Sequence, residues 1–152
     1  MTRTIKFRGK VKHDGGWVYG SLLVYGDGEH NIFVPRQHNY KLDSWNVFPE
    51  TVGQSTGLKD AKGNEIYEGD IVKSYVVYVT EDEESIEFWR VGEIRYVAGG
   101  FALTNCTNYD DLDMVYKSDV QPSPKTKNSF PAYRSEVIGN IHDNPELINN
   151  KQ

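Results

Sequence analysis

The groups in this sequence that could do chemistry are few and scattered. Asp110-Asp111-Leu112-Asp113 puts three carboxylates within four positions, a donor set that a hard divalent cation would accept if one loop gathered them. The ordered spacing, central glycine and distant glutamate of an EF-hand are missing, so capping and solvation explain these aspartates better. Glu81-Asp82-Glu83-Glu84 has no apolar face and reads as a solvated loop tip. The lone cysteine, Cys106, would need a neighbour that lowers its pKa before it could act as a nucleophile. His13, His30, His38 and His142 are dispersed and no nucleophile motif surrounds the thiol, so a small structural cysteine is expected. There are no Cys/His ligand pairs for zinc and no glycine-rich phosphate loop. We therefore expect no catalytic residue, no metal and no cofactor.

A binding chemistry is better represented. Lys125, Lys127 and Arg134 lie in an acid-free segment with Phe130 and Tyr133, a combination able to touch phosphate and stack on bases. Arg3, Lys6, Arg8 and Lys10 form a second basic strip. Trp17, Tyr19, Tyr25, Trp45 and Phe48 could line a surface or fill a core, and the sequence leaves both open. The whole chain argues the other way. Its net charge of −5 and pI near 5.3 disfavour general electrostatic attraction to nucleic acid. Five excess charges are also too few to imitate a duplex, which carries about one charge per 1.7 Å.

The elements that must position these groups are strands. With 152 residues, 38% of them hydrophobic, the chain can bury a core without disulfide or metal. Ile5-Lys6-Phe7-Arg8 alternates with period two, and Trp17–Tyr25 is rich in strand formers. A return strand from His30 stops at Pro35, which lacks the amide proton a central strand donates. The stretch from Arg36 to Gly53 shows no sustained period and is expected to be a connector. Ser55 to Tyr67 reads as two short strands around a tight turn, with Gly63 in the left-handed position and Asp60 as the side-chain cap. Long strands follow at Ile71–Val79 and Ile86–Val97, then Gly99-Gly100 turns the chain into Phe101-Ala102-Leu103. Asn105–Arg134 is polar and proline-bearing, so loops are expected, with a short helix over about residues 112–117. Glu136–Ile141 is a final strand, and Asn144-Pro145-Glu146 can start a terminal helical turn with Asn144 as N-cap. No run approaches the roughly 20 apolar residues of a membrane-spanning helix.

Three blocks carry a resemblance to a known family. They are Ile5-Lys6-Phe7-Arg8; Pro49-Glu50-Thr51-Val52-Gly53-Gln54-Ser55-Thr56-Gly57-Leu58-Lys59-Asp60 running through Gly63 to Glu68-Gly69-Asp70-Ile71-Val72; and Val137-Ile138-Gly139-Asn140-Ile141 with Asn144-Pro145-Glu146-Leu147. On these the chain resembles the YopX-like family of phage and prophage proteins. The resemblance implies a phage context and supplies no catalytic residue. Glu68-Gly69-Asp70-Ile71-Val72 also resembles the opening strand of SH3-like barrels, a fold-level analogy only.

The expected architecture is mainly β, or α+β. A small N-terminal strand module, residues 1–50, packs on an SH3-like or partly open β-barrel, residues 51–152, with a short terminal helical turn; one continuous domain is the alternative. The expected function is non-enzymatic: an accessory phage or prophage protein in the host cytoplasm that binds a host or phage macromolecule. The alternatives are a nucleic-acid-binding module using Lys125, Lys127, Phe130, Tyr133 and Arg134, and an enzyme with an acidic metal site at Asp110, Asp111 and Asp113. Unprotected strand edges make self-association into a homo-oligomer an expectation as well.

Overall fold

The computed structural model describes residues 4–39, 41–79, 81–108 and 132–149. The chain divides into two units, Met1–Gly57 and Leu58–Gln152. It is mainly β, as its strand-forming residues predict, and both of its antiparallel sheets are open. Of the two forms expected for the C-terminal part, the open one is found, and no closed barrel forms among the described residues.

The first unit contains β1 (Phe7–Lys10), β2 (Trp17–Val24), β3 (His30–Pro35), β4 (Leu42–Val47) and most of β5 (Gly53–Lys59), ordered β4-β3-β2-β1-β5. The register Phe7↔Gly20, Leu22↔Ile32 and Ile32↔Trp45 sends one alternating set of side chains to each face. On one face Val11, Ile32 and Val47 are buried, with Phe7, Val18, Leu22, Val34 and Val52 packed against them. The opposite face carries Arg8 and Lys10 from β1, Trp17, Tyr19, Ser21 and Leu23 from β2, Asn31 and Phe33 from β3, and Leu42, Ser44 and Asn46 from β4. A 3-10 turn, Pro49–Thr51, leads into β5, and Thr51 Oγ1 accepts from the Lys10 amide at 2.9 Å while donating to the Phe48 carbonyl at 2.7 Å.

β4 corrects the expectation of a connector between Arg36 and Gly53. Asp43, Ser44 and Asn46 have little strand propensity, and within β4 only Val47 is buried. Its strand character comes from the ladder with β3, from His30↔Val47 to Pro35↔Leu42, a non-local cause. Pro35 is tolerated because it is the last residue of its strand.

In the second unit β5 ends at Lys59, and β6 (Glu65–Tyr67) returns beside it. The turn between them is built as its residues require, with Gly63 at φ 85° and Asp60 capping. β7 (Asp70–Val79), β8 (Ser85–Val97), β9 (Gly100–Asn108) and β10 (Ser135–Asn140) then form a sheet in the order β10-β7-β8-β9. Ile66, Val72, Ile94 and Leu103 are fully buried at its core, with Phe101, Ala132 and Val137 packed around them. A helical turn, α1 (Glu146–Asn149), follows. Asn144 begins that turn through its carbonyl, which accepts from Leu147 at 3.1 Å; its side-chain oxygen accepts from the Asn140 amide at 3.4 Å. The helix expected near residues 112–117 falls outside the described residues. No helix among the described residues is long and apolar enough to cross a membrane.

Candidate functional site

A candidate site lies on the face of the second sheet opposite Val72 and Ile94. The register sets Glu136 beside Lys73 and Lys73 beside Val91, with Tyr75 directly across from Trp89 in the next row. Alternation along β7 and β8 puts Lys73, Tyr75, Trp89 and Glu87 on one face. The Tyr75 and Trp89 rings are 5.0 Å apart and tilted by 51°. Lys73 Nζ lies 4.6 Å from the centre of the Trp89 ring, within the range of a cation–π contact.

Ala61, Tyr75, Trp89, Arg134, Ser135 and Glu136 enclose a shallow, mostly apolar depression of about 290 Å³. A 3-10 turn, Ala132–Arg134, brings Arg134 to its edge, and the guanidinium sits 5.3 Å from the Tyr133 ring. Tyr133 is 70% exposed. Two carboxylates mark the rim. Glu136 accepts from Lys62 Nζ at 2.6 Å, and Glu87 accepts from the Tyr75 hydroxyl. The hydrogen bond to Glu87 leads the causes that hold the Tyr75 phenol above its ordinary range, so it stays a neutral donor at physiological pH. The Glu136 contact likewise raises Lys62, which stays charged.

Of the residues singled out by sequence, Arg134 borders this site, with Tyr133 against its guanidinium. Lys125, Lys127 and Phe130 lie outside the described residues, as do Arg3, Asp110, Asp111 and Asp113. Glu81, Glu83 and Glu84 are exposed at the tip joining β7 to β8, and no group of three potential metal ligands occurs among the described residues. Cys106 is exposed as a residue, but its sulfur is turned inward toward the Leu103 carbonyl at 3.8 Å. Burial of the sulfur raises the thiol pKa and outweighs the opposing charge of Arg90, which leaves little thiolate at neutral pH.

Lys73, Tyr75 and Trp89 were not legible as a site one residue at a time. The available signal was the acidic tip. Counting outward in both directions from Asp82 in an antiparallel hairpin places Tyr75 across from Trp89, as the register shows.

The fold and the site define a mainly β protein of two open antiparallel sheets with an aromatic and cationic depression on the second. Residues 6–149 match the family model described as YopX protein, and the chain belongs to the YopX family. The resemblance carried by the three sequence blocks is thereby borne out. The chain is also similar to a solved structure, the crystal structure of protein EF1440 from Enterococcus faecalis, at 22% identity over 97% of this chain and 99% of that one, with a TM-score of 0.48. No curated protein matches it.

Proposed function

We propose that this chain is a non-enzymatic accessory protein of phage or prophage, acting in the host cytoplasm by binding a host or phage protein at the Tyr75–Trp89 depression. The phage setting rests on the sequence resemblance. The binding role rests on the site's make-up: Trp, Tyr and Arg are the side chains that most often dominate protein interfaces, and here all three border one apolar depression. Its volume of about 290 Å³ suits one or two side chains of a partner rather than a whole small-molecule substrate. Lys73 and Arg134 beside the aromatic floor favour an apolar or aromatic anchor next to a carboxylate. The carboxylates of Glu87 and Glu136 on the same rim make nucleic acid a poorer fit here, and Lys62 neutralises only one of them. Among the described residues β9 ends the second sheet, and its edge is where two copies would pair.

The test is affinity capture from the bacterial host with the tagged chain, followed by titration of the captured protein against native chain and Trp89→Ala. A stoichiometric protein partner is expected. Truncation of the tryptophan should weaken binding about 30-fold, the effect of losing roughly 2 kcal/mol at an interface hot spot. Matching circular dichroism and thermal midpoints would show that the variant is folded. Equal binding by native chain and folded Trp89→Ala places the interface elsewhere, and multiple turnover of any substrate overturns the non-enzymatic reading.

A further inference from the structure

We propose that the Tyr75–Trp89 depression takes a proline-rich segment of a partner in the polyproline II conformation, flanked by an acidic residue. This names the kind of partner and so rests on the protein-binding reading of the same site. Tyr75 and Trp89 are direct cross-strand neighbours, with ring centres 5.0 Å apart and planes inclined by 51°. The two rings make an open slot on the face of a sheet, with Ala61, Ser135 and Glu136 along its side and Arg134 at its edge.

Shape selects the occupant first. At about 290 Å³ and open to solvent, the depression encloses little of what it binds. A side chain with many rotamers would lose its freedom there for a small contact area, whereas a proline ring is rigid and lies flat on an aromatic face. The polyproline II helix extends the same advantage to the backbone, because the free peptide already populates it.

Hydrogen bonding and charge select next. A polyproline II backbone makes no internal hydrogen bonds, so its carbonyls call for donors from the protein that binds it. The Tyr75 hydroxyl already donates to Glu87 and the Ser135 hydroxyl to Ser74, so neither supplies one. The Trp89 indole N–H and the exposed Arg134 guanidinium have no hydrogen-bond acceptor among the described residues. Glu136 is held by Lys62 and Glu87 by Tyr75, which leaves Arg134 a cation on an apolar rim with no carboxylate of the described residues against it. An acidic residue beside the prolines complements that charge, and a basic one would be repelled by it.

The measurement is a titration of the full chain with a fluorescently labelled decapeptide, eight prolines between two terminal glutamates, followed by anisotropy and by the indole N–H resonances of the tryptophans. The Trp89 resonance, assigned by its loss in Trp89→Phe, is expected to shift while those of Trp17 and Trp45 stay in place. Trp89→Phe keeps a ring but loses the donor, and should weaken binding about fivefold, the effect of one hydrogen bond. The same peptide with alanine at every proline should bind about tenfold more weakly, because its backbone must be ordered on binding. Replacing the glutamates by glutamine should weaken binding to the native chain about threefold and leave binding to Arg134→Gln unchanged. An unmoved Trp89 resonance, equal affinity for the alanine peptide, native affinity in folded Trp89→Phe, or a glutamate effect that persists in Arg134→Gln would each overturn the proposal. A host protein held through Trp89 by a segment without proline would overturn it too, while leaving the protein-binding reading intact. A captured protein indifferent to Trp89→Ala would remove both.

Discussion

Asp60→Ala is expected to destabilise the second unit by about 3 kcal/mol, a loss of the size seen when buried donors lose a charged acceptor. Asp60 is 5% exposed. One of its carboxylate oxygens accepts from the amides of Lys62 at 2.9 Å and Asn64 at 2.8 Å. The other accepts from the Asn64 side chain at 3.2 Å and from the Val137 amide at 3.0 Å. A single side chain therefore closes the β5–β6 turn and ties it to β10, 77 residues further on. Alanine would leave the Val137 and turn donors without these acceptors in a largely dry place. Urea unfolding of native and variant chains measures the loss, and a difference below about 1 kcal/mol would refute this account of the turn.

The same contacts set a pH dependence. Burial alone would raise the Asp60 pKa, but the bonds from Val137, Asn64 and Lys62 outweigh it and hold the group below its ordinary 3.8. A folded-state pKa below the unfolded one means the unfolded chain binds the proton first as pH falls. The stability Asp60 contributes is thus fully present above about pH 4 and is lost as pH drops through the folded-state value. The stability gap between the native chain and Asp60→Asn should accordingly shrink below pH 4 and stay constant from pH 5 to 8. A gap that widened on acidification would reverse the sign and sink the argument.

Gly20→Ala should be at least as damaging to the first unit. A Cβ built on Gly20 would lie 2.1 Å from the Phe33 carbonyl oxygen and 3.3 Å from Ile32. The offending atom is backbone in the neighbouring strand, so the β2–β3 ladder itself would have to shift. An overpacking cost of about 3 kcal/mol or more is expected. Gly26→Ala is the control: nothing lies within 4 Å of its Cβ position and its φ is not positive. It should stay within about 0.5 kcal/mol of the native chain. Amide hydrogen exchange at Leu22 and Ile32 reads the first unit directly, and similar protection in both variants would disprove the clash.

What the sequence made legible follows from how local each cause is. The Asp60–Gly63 turn was readable because its acceptor, its donors and its left-handed glycine sit within five residues. The strands β7 and β8 were readable because β-branched and aromatic residues recur along both. β4 was hidden because Asp43, Ser44 and Asn46 become strand only by pairing with β3. The candidate site was hidden for the same reason. Tyr133 and Arg134 stood out as a basic and aromatic pair, but Trp89 and Tyr75 gain their meaning from register. Asp60 was assigned its turn, while its reach to Val137 depends on tertiary placement that no local pattern encodes.

The strand order β10-β7-β8-β9 also implies a sequence of events in time. β7 and β8 meet across a short loop, Val79 to Ser85, whereas β10 reaches β7 with Ser135 and Ser74 separated by 61 positions. Closing the longer loop costs about 2 kcal/mol more chain entropy. The β7–β8 hairpin should therefore nucleate folding of its unit, with β10 docking after the rate-limiting step. Stopped-flow kinetics would show this as a slower folding rate in Val91→Ala and a faster unfolding rate in Val137→Ala; the opposite partition would place β10 in the nucleus. The depression between Trp89 and Arg134 would then be completed last, because its two sides belong to elements that form at different times.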